Sequence, residues 1–232
     1  MNTNESEKIF IMVPAYNEET TLESVLMDLL SRGYYLVLVD DGSKDDTFKI
    51  ARSVQKNYPN KLFLHKHVIN RGLGAAIKTG IHASINHGAD YIVTFDADGQ
   101  HNPDDIINVI EPLTKKEAEV VIGSRIFSDM PVTRNFGNYL MNVLTFLFHG
   151  LYVQDSQSGL RAFNRNAAKQ LKLNYRGYDI SSEIIREIKR NNLKFLEIPI
   201  TTIYTDETMN KGTNTRVGLK ILFRMILDSF KN

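Results

Sequence analysis

From Lys8 to Gly123, short β-branched apolar runs alternate with longer segments whose apolar residues recur at helical spacing. Lys8–Val13, Tyr35–Asp40, Lys61–His67, Tyr91–Phe95 and Glu119–Gly123 predict strands, most of them too uniformly apolar to keep a face in water. Between them Thr20–Ser31, Lys44–Tyr58, Leu73–His87 and Pro103–Lys116 predict amphipathic helices. Alternation of this kind predicts an α/β fold, a mostly parallel central sheet with helices on both faces. Asp45–Thr47 falls where a first helical turn begins, and Asn102–Pro103 predicts a helix start with proline at its first position. By pattern alone the first half has a nucleotide-binding architecture.

The second half is patterned differently. Phe136–Val153 is rich in Phe, Leu, Tyr and Val, but polar and glycine residues interrupt it too often for a membrane span. Leu193–Tyr204 predicts a strand pair or one long strand bent around Pro199. Thr215–Phe230 predicts a helix with Val217, Ile221, Leu222, Met225 and Ile226 near one face. Lys211, Arg216, Lys220, Arg224 and Lys231 give the terminal segment a basic character against Asp228 alone. Such a helix either lies on an anionic membrane surface or caps the domain with a solvated basic face.

Composition narrows the function. With 232 residues, 28 Lys and Arg against 27 Asp and Glu, and a net charge of +1, the chain lacks the basic excess of a nucleic-acid binder. A hydrophobic content of 42% with 24% charged residues is that of a globular protein with ample core. The absence of cysteine excludes disulfides, thiolate metal sites and cysteine nucleophiles. The polar stretch Met1–Lys8 has no apolar signal core, so the expected location is cytoplasmic.

The candidate chemistry sits after the strands. Phe95-Asp96-Ala97-Asp98-Gly99-Gln100-His101 places two carboxylates at a strand's C-terminal end, the edge at which open α/β sheets bind ligands. Two Asp one residue apart suit a hard divalent cation shared with substrate phosphates, although an Asp- and Gly-rich turn is also a common structural element. Val39–Ser43 and Val13–Glu18 repeat the placement, so Glu18, Asp41, Asp96 and Asp98 are expected on one rim. Like charges gathered there repel unless a cation joins them, which favours a metal–nucleotide site. Tyr16 suits stacking or hydrogen bonding to a base or ribose.

Six ordered motifs then make a specific resemblance: Pro14–Glu18, Val39–Ser43, Asn70–Gly74, Asp96–Gln100, Gly123–Arg125 and Asp155–Arg161. The chain resembles family 2 glycosyltransferases, in particular the dolichol-phosphate mannosyltransferase-like, or polyprenyl-phosphate glycosyltransferase, branch. The resemblance implies the GT-A fold, a Rossmann-like mostly parallel sheet. It implies nucleotide binding by Pro14, Tyr16, Glu18, Val39, Asp41, Asp96 and Ala97. Asp96, Asp98 and Gln100 are implied to hold Mg²⁺ or Mn²⁺. Asp98, Arg125 and Arg161 are implied to serve catalysis, the two Arg by facing the donor diphosphate or acceptor phosphate with a planar bidentate fork. Asn70–Gly74 lacks the third glycine of a dinucleotide fingerprint and reads as a tight loop beside the donor site, with Arg71 orienting Asp96 or a phosphate. Two positions depart from the family pattern: Asp179 stands where relatives often carry Lys, and Asn210–Asn214 replaces a Gly-x-Ser-Lys loop, with Lys211 in its place.

The expected organisation is a disordered terminus over 1–7, a GT-A domain over 8–214, and a basic amphipathic helix over 215–232. Within the domain, 8–123 would form the nucleotide-binding half and 124–214 the acceptor half. The expected reaction is inverting transfer of a sugar from a nucleotide-diphosphate sugar to a polyprenyl phosphate at the membrane surface. A UDP-sugar such as UDP-glucose or UDP-N-acetylglucosamine is favoured over GDP-mannose by the short, tail-less, bacterial look of the chain. Membrane contact would come from Phe136–Val153, the terminal helix, or a small membrane protein partner. Two alternatives stand beside this. One is a carbohydrate hydroxyl acceptor, with Asp155, Asp179 or Glu183 as general base. The other is a non-catalytic nucleotide-sugar binding subunit, which the intact Asp96, Asp98 and Gln100 disfavour.

Overall fold

The computed structural model describes residues 7–125, 139, 141–147, 150–174 and 180–203. Strands β1 (Ile9–Ala15), β2 (Tyr35–Asp40), β3 (Leu62–Lys66), β4 (Tyr91–Thr94) and β5 (Val120–Arg125) alternate with helices α1 (Leu22–Ser31), α2 (Thr47–Asn57), α3 (Leu73–Asn86) and α4 (Asp105–Thr114). A short helix, α5 (141–147), is followed by β6 (Arg161–Asn164), α6 (Arg165–Gln170), α7 (Ile180–Arg190) and β7 (Phe195–Ile200). The strands form one sheet in the order β3-β2-β1-β4-β6-β5-β7. All neighbours pair in parallel except β6, which runs antiparallel to both β4 and β5. Strands from the two halves of the chain therefore interleave in one sheet.

The uninterrupted apolar runs of β1 and β2 follow from burial on both faces. Ile11, Val13, Leu36 and Leu38 join the core beneath α1, α2 and α4, while Phe10, Met12, Val37 and Val39 join the core on the α3, α6 and α7 side. Gly80 lets α3 settle onto β1, because a Cβ there would stand 2.2 Å from Cγ of the fully buried Met12. Gly80→Ala is expected to destabilise the domain by about 1–3 kcal/mol through overpacking. That lowers the melting temperature by roughly 2–4 °C per kcal/mol, readable by thermal denaturation.

The element boundaries refine the expectations. Pro103 precedes α4 by a turn, in which Asn102 and Pro103 carbonyls accept from Asp105 and Ile106, and the helix itself begins at Asp105. Asp45 Oδ1 takes both the Thr47 hydroxyl and amide, at 2.6 and 3.1 Å, and so starts α2. In place of the strand pair or bent strand expected over Leu193–Tyr204, the described residues form the single edge strand β7, where Pro199 sits without breaking an interior ladder, followed by a bridge from Thr202 to His101. Glu7, expected in the disordered terminus, accepts the Tyr91 hydroxyl at 3.0 Å. The terminal helix over 215–232, the 210–214 loop and Asp179 lie outside the described residues. No helix among the described residues is long and apolar enough to cross a membrane.

Candidate active site

Because β1, β2 and β4 are parallel, their C-terminal ends open on one edge, and a cleft of about 360 Å³ lies across them. Pro14, Tyr16, Glu18, Asp41, Asp96, Ala97 and Asp98 line it, joined by Asn70, Gly72 and Leu73 from the loop entering α3. Tyr16, 40% exposed, presents its ring at the mouth. Most of the residues expected at the nucleotide site are thus brought together. Val39 is the exception: it is fully buried in the α3-side core, because strand alternation turns it away from the rim between Leu38 and Asp40.

The two carboxylates after β4 are held differently. Asp96 Oδ2 lies 3.0 Å from His101 Nε2, and since an ionised carboxylate only accepts, that nitrogen carries the proton. Burial works to raise the Asp96 pKa. The His101 hydrogen bond, helped by the charges of His101, Arg161 and Arg125, outweighs it and holds the group below its ordinary value, so Asp96 is ionised. His101 is itself fixed edge-on to Phe95 and bridged to Thr202. Asp98 instead accepts the Gln100 amide and side chain, at 3.0 and 2.8 Å. Gln100, expected as a further metal ligand, serves as a brace for Asp98 and does not line the cleft.

Asp41 is only 2% exposed although it reaches the cleft. It takes Nδ1 of buried His67 at 2.6 Å and the Arg71 and Gly72 amides at 3.0 and 2.7 Å. Its carboxylate therefore pins the Asn70–Gly72 turn against the end of β2. Arg71 enters this arrangement through its backbone.

Both arginines expected to face phosphates have protein partners for their guanidinium groups. Arg161 is 1% exposed, its guanidinium donating to the Ser156 carbonyl at 3.0 Å, and its charge helps hold the Asp96 pKa down. Arg125 forks onto Asp155, Nε to Oδ2 at 2.6 Å and Nη2 to Oδ1 at 2.8 Å, so its bidentate face is taken by a protein carboxylate. The same contact engages Asp155, a candidate general base, which is fully buried. Glu183, the other described candidate base, accepts the Asn174 amide at 2.8 Å and pairs with Arg186 at 3.2 Å.

Two residues gain weight that their sequence context did not give them. His101, which closes the Phe95–His101 segment, orients Asp96. Gly159 lies so close to Asp96 that a Cβ there would stand 2.0 Å from Oδ2. The only sequence trace of that contact is a glycine inside the Asp155–Arg161 motif.

Among the described residues no group of three or more His, Asp or Glu is gathered tightly enough to cage an ion. Asp96 and Asp98 nonetheless offer two hard oxygen donors to one cleft. That fits Mg²⁺ or Mn²⁺, which Mg-type sites hold by one or two carboxylates with substrate phosphates and water completing the shell.

An α/β sheet with an acidic cleft across the ends of its parallel strands is the frame of a nucleotide-dependent enzyme. Residues 10–172 match glycosyl transferase family 2, and the chain belongs to that family: it is a glycosyltransferase. It is 43% identical over 238 residues to a UDP-N-acetylglucosamine–dolichyl-phosphate N-acetylglucosaminyltransferase of Methanococcus voltae, covering 94% of this chain and 95% of that protein. It is 28% identical to a dolichyl-phosphate beta-glucosyltransferase of Dictyostelium discoideum, over 99% of this chain and 79% of that protein. Its GT-A fold is shared with glucosyl-3-phosphoglycerate synthase of Mycobacterium tuberculosis, solved with Mn²⁺, UDP and glucosyl-3-phosphoglycerate. The TM-score is 0.70 at 18% identity, over 96% of this chain and 80% of that one.

Proposed function

We propose that the protein transfers a sugar, with inversion, from a UDP-sugar to a polyprenyl or dolichyl phosphate, and that UDP-N-acetylglucosamine is the leading donor. The observation that carries this reading is the pairing of Asp96 and Asp98 in one cleft with Pro14, Tyr16 and Asp41. The similarity to the Methanococcus voltae enzyme along nearly its whole length supports the choice of donor and acceptor.

In this reading Tyr16 and Pro14 hold the base and ribose, and the Asp41-pinned turn closes the wall beside them. Asp96, kept ionised by His101, and Asp98, braced by Gln100, would hold a divalent cation, which when bound would offset the charge on the nucleoside diphosphate. An acceptor phosphate oxygen attacks the anomeric carbon as the bond to the diphosphate oxygen breaks on the opposite face. A phosphate, with a second pKa of about 6, is largely ionised at neutral pH and needs no general base. The engagement of Asp155 and Glu183 by Arg125 and Arg186 fits that acceptor better than a hydroxyl, which must lose a proton. Catalysis then rests on positioning and charge. Action on a lipid phosphate puts the protein at a membrane surface.

The test is calorimetric titration with UDP and with GDP, each with and without Mn²⁺, followed by transfer from UDP-N-acetylglucosamine to a short polyprenyl phosphate in detergent. Expected are metal-dependent UDP binding and a product on the phosphate, with none on the free polyprenol. Turnover on a carbohydrate hydroxyl alone would overturn the acceptor, and preference for GDP would overturn the donor.

A further inference from the structure

The loop between β3 and α3 holds apolar side chains out into water on a rigid backbone. Val68 is 96% exposed, Ile69 69% and Leu73 51%, and Leu73 also lines the cleft. The backbone beneath them is fixed. Asp41 holds the Arg71 and Gly72 amides, His67 is buried at the loop's start, and Ile69 and Asn70 pack so closely on Gly42 that a Cβ there would stand 2.5 Å from the Ile69 carbonyl carbon. Hydrophobic collapse would fold such side chains inward if the backbone were free to move. Here a buried carboxylate prevents it.

The chain that carries the tip is basic along its length. Between Thr47 and Ala89 the chain carries seven Lys and Arg and no Asp or Glu, although its overall net charge is only +1. That stretch runs through α2, the edge strand β3, the loop and α3. Lys66, which is exposed while pairing with Asp40 at 3.3 Å, and exposed Arg71 flank the apolar tip, and Lys44 is exposed on the neighbouring loop. The acidic pair at the start of α2 is engaged locally, Asp45 with Thr47 and Asp46 with Lys49. An aliphatic tip within a basic edge is complementary to an anionic phospholipid surface, where aliphatic groups enter the acyl boundary and cations meet the headgroups.

We propose that Val68, Ile69 and Leu73 form a prong that enters an anionic bilayer and seats the mouth of the cleft against it. The proposal rests on the lipid-phosphate acceptor, since only then must the cleft meet a membrane. It assigns the contact to the nucleotide-binding half, apart from the Phe136–Val153 segment and the terminal helix.

The chain has no tryptophan, so Ile69→Trp installs a single reporter at a site already open to solvent. With vesicles of phosphatidylcholine and phosphatidylglycerol, its emission should shift to the blue and be quenched by brominated acyl chains, less so in phosphatidylcholine alone. In parallel, Val68→Ser/Ile69→Ser in the full chain should lower the vesicle-bound fraction in sedimentation by roughly tenfold, as expected for two lost aliphatic insertions. Its transfer to a short polyprenyl phosphate in detergent should stay at the wild-type rate. An unshifted, unquenched tryptophan signal from the Ile69→Trp variant, or wild-type sedimentation of the double variant, overturns the prong. Absence of transfer in detergent by the wild-type protein overturns the acceptor instead, and is read independently of vesicle binding.

Discussion

Gly159→Ala is expected to lower turnover by about a hundredfold while the domain still melts cooperatively near the wild-type temperature. The added methyl group would stand 2.0 Å from Oδ2 and 2.7 Å from Cγ of Asp96, so one of the two must move. The backbone of Gly159 cannot retreat, because its carbonyl accepts the Thr94 hydroxyl at 2.6 Å and the same hydroxyl accepts the Arg161 amide at 3.1 Å. Asp96, partly exposed to the cleft, is the freer partner and is pushed off His101. Displacement of a reacting constellation by about 1 Å costs on the order of 10²-fold. Gly159 is not among the residues with positive φ, so alanine brings no backbone strain there and the damage falls on the site, not the fold. Steady-state kinetics beside a melting curve separate the two. Wild-type turnover in this variant would show that Asp96 need not sit where His101 holds it.

Asp98→Ala is expected to cost about 10²–10³-fold in turnover, the scale of losing one preorganised electrostatic group. It should also remove the difference that Mn²⁺ makes to nucleotide affinity. Asp98 is only partly buried, and its hydrogen bonds from Gln100 are local to the turn after β4. The protein should therefore remain folded without its carboxylate. Calorimetry of UDP with and without Mn²⁺ gives the direct reading. Metal-dependent affinity equal to wild type would remove Asp98 from the cation site and leave Asp96 to hold it without a second carboxylate.

Much of the nucleotide-binding half was legible because its signals are local. β2 spans the residues its pattern predicts, and α1, α2 and α3 end within one residue of expectation. Burial on both faces leaves an apolar run, and a helix on a sheet leaves a periodic stripe. The convergence of Glu18, Asp41, Asp96 and Asp98 was readable too: once the strands are parallel, residues that follow them share an edge. β6 was not foreseen. Its antiparallel entry between β4 and β5 depends on pairing between distant segments, which no local period encodes.

The same division separates residue type from residue role. The order of elements, the sheet edge on which the acids gather and the acids available there follow from spacing and side-chain type alone. What each charge faces depends on how distant segments pack. Arg125 meets Asp155, Arg161 is buried against the Ser156 carbonyl, Val39 turns into the core, and Asp41 anchors a loop while touching the cleft. A charged side chain taken from water must find its partner inside the fold, and that partner is set by packing across the sheet.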